Sequence, residues 1–291
     1  MVISLDVATV LLQWSAGGLF FLWFTTRRRE VGIGYGWLLR GTYLLIAALG
    51  VFLGRRYGAV PIREFGGVAV VLASGFALAV SIRRRHAGVS GQQVEFDRRS
   101  ERVAQMTGIE RAANVAIDGK SGSEFPPVLD LIAALVAVPG LVAAASAADA
   151  GTVSSFSVSL IRIVVGALFL GAVTDAMLLG HWYLVQPGLP RRHLNDLVNA
   201  VGVMWPLEVI AMLLPVGMIS VFNGTVDDGW NGTLGWMWAA CAITTIGLVF
   251  VTKAALKERY YSAVMAATGL LYLAILTAFG TDLVARAVLS G

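Results

Sequence analysis

The chain has a single cysteine, Cys241, in 291 residues, so an intramolecular disulfide is excluded. It has only three histidines, His86, His181 and His193, and its charged residues make up 14%, against roughly 25% in an ordinary soluble domain. No Gly-rich phosphate loop, His-Glu-x-x-His, Asp-rich prenyl-transfer motif or Gly-x-Ser-x-Gly nucleophile elbow is present. These absences remove the common signatures of nucleotide, zinc-protease and serine-hydrolase chemistry. No internal repeat stands out either, which argues against inverted-repeat transporter folds.

Apolar residues are what the chain has in excess, at 57%, against roughly 45–50% in soluble domains. Water could not solvate that much apolar surface, whereas lipid can. The apolar residues come in continuous runs such as Leu160–Val185, longer than the about 20 residues needed to cross hydrocarbon. Continuous runs predict helices, not the alternating short strands of an outer-membrane barrel. The expected fold is therefore an all-α polytopic transmembrane bundle. Ile3–Phe24 lacks a preceding basic region and an Ala-x-Ala site, so it is expected as a retained helix, not a signal peptide.

Eight spans are predicted, near 4–25, 35–53, 66–82, 127–148, 157–186, 197–222, 233–252 and 259–287. Sixteen basic residues, from Arg27, Arg28 and Arg29 through Arg83–Arg85 and Arg191–Arg192 to Lys257 and Arg259, then fall in one set of alternate loops. Arg40 lies near the same face, while Arg55, Arg56 and Arg63 lie in loops on the other side. Arg162 and Arg286 sit near helix ends there. The positive-inside rule predicts that both termini are outside and that the loop Arg83–Phe125 is cytoplasmic, in a plasma (inner) membrane. The chain divides into a three-helix segment (1–82), a cytoplasmic connector (83–126) and a five-helix segment (127–291). The net charge of +4 belongs to these flanking residues and suits anionic membrane lipid, not nucleic acid.

Within the connector, Phe96, Val103 and Met106 fit one face of an interfacial helix over Val94–Met106; a partly ordered linker is the alternative. Pro126 and Pro127 close the connector and open the fourth span, while Pro139 and Pro206 are expected to kink the fourth and sixth. Between spans six and seven, Asn223 and Asn231 each begin an Asn-Gly-Thr triplet. The triplet fits glycosylation but reads better as a turn. Trp230, Trp236 and Trp238 beside it suggest an interfacial aromatic belt.

Charged groups inside spans cost about 2.5–3.5 kcal/mol each on insertion scales, so they are the first candidates for function. Asp175 in the fifth span and Glu208 in the sixth are the clearest. At about 1.5 Å per residue both fall roughly 16 Å from the inner end, on neighbouring antiparallel helices. Two carboxyls at one depth suit a shared proton, a bound cation or a hydrogen bond from a quinol. The alternative is that each only bonds neighbouring Ser, Thr or Trp side chains and holds helices together.

All three histidines are expected at the cytoplasmic ends of their helices. Two imidazoles at one level are what a b-type haem needs, and a quinone head group also takes a histidine donor. His181 in Gly180-His-Trp-Tyr is the best placed, since Gly180 would admit a flat ring. With Trp182, Tyr183 and Arg192 it belongs to the densest polar and aromatic cluster of the chain. A tight turn flanked by aromatics and basic residues also explains that cluster, and Arg191, Arg192 and His193 could contact an anionic head group.

Three functions follow as expectations. The first is a subunit of a larger respiratory or electron-transfer assembly of membrane proteins, with quinone or haem b near His181, Asp175 and Glu208. A proton- or ion-coupled small-solute transporter using Asp175 and Glu208 is the second. The third is an enzyme acting on a lipid-linked substrate near Arg191, Arg192 and His193.

Overall fold

A computed structural model describes residues 5–87, 89–91, 123–148, 153–186, 188–258 and 260–289. The predicted interfacial helix over Val94–Met106 lies outside them. The helices are α1 (Val7–Thr26), α2 (Ile33–Tyr57), α3 (Pro61–Arg83), α4 (Val128–Leu135), α5 (Val138–Ala147), α6 (Val153–Trp182), α7 (Arg192–Leu213), the single turn α8 (Ile219–Phe222), α9 (Thr233–Lys257) and α10 (Tyr261–Leu289). With α4 and α5 taken as two halves of one span, eight helical segments among the described residues are long and apolar enough to cross a membrane. The protein is an integral multi-pass membrane protein.

Local sequence sets the helix ends. Asp6 caps α1 by accepting from the Thr9 amide at 3.2 Å. Proline opens α3 and lies in the first turn of α5, where its missing N–H leaves no bond unmade. Pro127 is the N-cap of α4, as the sequence led one to expect.

Several boundaries differ from expectation; the fifth span ends at Trp182 and the sixth begins at Arg192. The third span begins at Pro61, so Arg63 and Glu64 are helical and buried instead of lying in a loop. The fourth is broken: the chain turns at Val136–Ala137 before Pro139 starts α5. The sixth, expected to run to residue 222, stops at Leu213, just before Pro215. Pro206 lies within α7, about two turns before the end.

Helix α1 is the axis of the bundle. Two-thirds of its apolar window is buried, more than in any other described span, and it packs against α2, α4 and α6. Helices α7 and α10 pack on α6, and α9 on α7 and α10. At the α1–α6 crossing the backbones touch. A Cβ on Gly17 would overlap the Ala167 carbonyl, and one on Gly171 would overlap Gly17 itself. Small residues let membrane helices approach this closely, where dispersion and not hydrophobicity holds them.

The arginine-rich ends are gathered at one face. Arg28 pairs with Asp196 at 2.8 Å, Arg29 with Glu124 at 2.9 Å, and Glu30 takes both Arg192 and His193. Arg191 donates to the Glu258 and Tyr260 carbonyls. We refer to this as the basic face. At the opposite face, Arg63 joins Asp6 at 2.5 Å, Glu64 at 2.6 Å and the Gly58 carbonyl at 2.6 Å.

Candidate functional site

Among the described residues, buried charge inside the spans includes three centres, taken in order from the basic face to the opposite one.

The first centre lies near the basic face. Arg40 of α2 donates Nε to Asp130 Oδ1 at 2.6 Å, Nη2 to Asp130 Oδ2 at 2.7 Å, and Nη1 to Ser81 at 3.0 Å. Its guanidinium lies 4.0 Å from the centroid of the Phe125 ring. Arg40 also lines an open cleft with Arg29, Glu124 and Phe125. Every edge of the guanidinium toward the interior is thus occupied.

The second centre is Asp175, in the middle of the apolar bundle and fully buried. Tyr43 donates its phenol O–H to Oδ1, and Tyr35 donates to the Asp175 backbone carbonyl at 3.4 Å. Oδ2 is buried and has no hydrogen-bond partner. One residue earlier, the Thr174 hydroxyl accepts from Trp14 Nε1 at 3.0 Å, tying this centre to α1.

The third centre lies toward the termini face, between α1, α6, α7 and α10. Asp282 accepts Arg286 Nε on both oxygens, at 2.8 and 2.9 Å, and Gln13 Nε2 on Oδ2 at 3.2 Å. Arg286 Nη2 donates to the Arg162 carbonyl at 2.6 Å. Arg162 in turn donates to the carbonyls of Ala211, at 3.1 Å, and Leu214. A cation there suits the negative end of α7 and occupies carbonyls that the early stop of that helix leaves open. Gly166 makes the space: a Cβ there would lie 2.6 Å from both Arg286 Nη2 and Asp282 Oδ1. Glu208 reaches into this centre with no exposure, and neither of its oxygens meets a donor.

Asp175 and Glu208 were expected to face each other at one depth. The structure corrects this. Asp175 bonds Tyr43, whereas the charged groups acting on Glu208 are Asp282, Arg286 and Arg162. Asp175 lies seven residues from the basic end of α6, while Glu208 lies five from the opposite end of α7. The error came from counting depth from helix ends that the sequence placed wrongly.

The aromatic cluster on the basic side is a clasp. Trp182 Nε1 donates to Gln186 at 3.1 Å, and Gln186 also receives the Gly32 amide at 2.9 Å. The Tyr183 O–H donates to the Pro190 carbonyl at 2.7 Å, and burial pushes this phenol well up from its ordinary range. Arg192 is exposed and bonds Glu30. His181 is exposed on the outside of α6, within 3.3 Å of the Tyr272 hydroxyl. His193 is buried against Glu30 at 2.6 Å, and exposed His86 accompanies Arg85. Each imidazole therefore has a different neighbour. Gly180 does admit a close approach, but Thr268 of α10 fills it, 2.7 Å from where a Cβ would be. Among the described residues no group of three or more His, Cys, Asp or Glu side chains is placed to hold a metal ion.

Sequence reading missed Asp130, Asp282, Gln13, Tyr43 and Tyr35, and set Arg40, Arg162 and Arg286 at interfaces. One signal was available: Asp282 and Arg286 are four apart inside an apolar run, the spacing of a helical ion pair.

In the loop before α9, Asp228 accepts the amides of Trp230 (2.9 Å), Gly232 (2.8 Å) and Leu234 (2.9 Å). Asn231 takes a positive φ of 52°, which agrees with the turn reading of its triplet. Trp230 and Trp236 are exposed, as a belt requires, but Trp238 is buried.

No family model, curated relative or solved structure matches this chain.

Proposed function

We propose that this protein is a proton-coupled carrier of a small solute, in which Asp175 and Glu208 take up and release the coupling ion. The observation that supports this most is that both carboxyls are fully buried and both keep an oxygen with no donor. A carboxyl used only to hold helices together would spend its acceptors on neighbouring donors, as Asp282 does with Gln13 and Arg286. The positive-inside bias makes the basic face cytoplasmic, in a plasma (inner) membrane.

The electron-transfer reading has less to rest on. Two axial imidazoles must face one another, and His181 and His193 lie on Tyr272 and Glu30 instead.

The test uses proteoliposomes carrying the full chain and a trapped pH-sensitive dye, challenged with a panel of small amines, carboxylates and neutral solutes. We expect at least one solute to enter with acidification of the lumen, and Asp175→Asn and Glu208→Gln to abolish that signal. Solute entry that is unchanged in both variants, or a panel that moves no protons, overturns the proposal.

A further inference from the structure

We propose that the centre between α1, α6, α7 and α10 is a proton-binding site, in which Glu208 holds the proton and Asp282 accepts it in a carboxyl–carboxylate pair. The inference gives the coupled-transport reading a specific ion site and rests on that reading only for its purpose.

The geometry is the main support. Glu208 stands one turn before Ala211, whose carbonyl binds Arg162; the Arg162 carbonyl in turn binds Arg286, which holds Asp282, and neither Glu208 oxygen meets a donor. Two carboxyl groups brought together in this way bond only if one of them supplies a hydrogen. Asp282 is the ionised member, because its two oxygens already accept from Arg286 and Gln13. Glu208 is then the carboxylic acid: its O–H donates to an Asp282 oxygen, and its other oxygen remains an acceptor. With Arg286 balancing Asp282, release of the proton leaves Glu208 a buried anion, with Arg162 the other cation of the centre.

The same donor set disfavours a metal cation. Hard cations take about six oxygen ligands. Here the bare side-chain oxygens among the described residues are three, the two of Glu208 and Gln13 Oε1. Two guanidinium groups act on the site, and each repels a second positive charge. A proton needs one acceptor and meets none of these objections.

The groups facing Glu208 complete the description. Helix α10 brings Asp282 and Arg286, and α6 brings Arg162. Helix α1 brings the Gln13 amide to Asp282 Oδ2, and α9 packs the Cys241 thiol beside Gly280 of α10.

Infrared spectroscopy of the full chain in lipid reads the proton directly. At neutral pH we expect a protonated-carboxyl C=O band that shifts in D2O, vanishes in Glu208→Gln and persists in Asp175→Asn. Asp282→Asn, which keeps the shape but replaces the acceptor, should move the band instead of removing it. Replacing choline chloride by sodium chloride should leave it unchanged. A spectrum in which Glu208→Gln removes no band, or one in which sodium discharges the band, overturns the assignment. These outcomes are independent of whether any solute moves, so failure here is separable from failure of the carrier reading.

Discussion

Arg40 grips Asp130 through two parallel hydrogen bonds, and the two side chains are only 2% and 0% exposed. A pair this deep loses the hydration of both ions, so its net value is small while the damage from breaking it is large. Arg40→Ala should therefore lower stability by about 3–5 kcal/mol, through the uncompensated Asp130 carboxylate. The paired variant Arg40→Met with Asp130→Leu should recover most of that loss. Thermal unfolding in mild detergent compares the three proteins. A double variant as unstable as the single one would show that the pair contributes more than mutual neutralisation.

The α1–α6 crossing makes a second, sharper prediction. Any side chain at Gly17 or Gly171 must push backbone against backbone, and no rotamer relieves that. Gly171→Val should fail to yield folded protein. At Gly247 and Gly269 an added Cβ meets nothing within 4 Å. Alanine there should be tolerated and should raise helix stability by roughly 0.5–1 kcal/mol. Fluorescence-detected size-exclusion profiles of the variants separate the two outcomes.

A pH dependence is expected in the loop before α9. Burial acts to raise the Asp228 carboxyl, but the amides of Gly232, Trp230 and Leu234 outweigh it and hold the group below the ordinary carboxylate range. A depressed value means that the loop's stabilisation is fully present above the unfolded carboxyl's range. It is lost only as pH falls through the lower, folded value. Protection of the Leu234 and Gly232 amides from hydrogen exchange, taken relative to the intrinsic rate at each pH, should fall in acid below that range. In Asp228→Asn the protection should be low and independent of pH. Protection that is insensitive to pH in the native protein would refute the role of the carboxylate.

The spans were legible because hydrocarbon imposes a length: a run of apolar residues either crosses or does not, as Leu160–Val185 illustrates. Asp175 and Glu208 were legible for the same reason, as exceptions within such runs. Their partners were not. Asp130 stands two residues into α4 and Asp282 seven from the end of α10, positions that resemble interfacial charge when only one helix is considered. What makes them interior is the approach of α1, α2 and α6, which is a property of tertiary packing. The error at the sixth span is of the same kind. Leu214-Pro215 interrupts an apolar stretch, and the carbonyls it frees are taken by Arg162, far away in sequence.

The bond from Gln13 to Asp282 joins residues 269 apart in the chain. Helix α1 leaves the ribosome first among the described helices, with Gln13 on its flank, and must dwell in lipid or beside the insertion machinery until α10 arrives. Assembly of the described helices therefore includes a docking event in which the last of them completes the polar surroundings of the first. Until that moment the nascent bundle carries a carboxamide whose acceptor has not yet been synthesised.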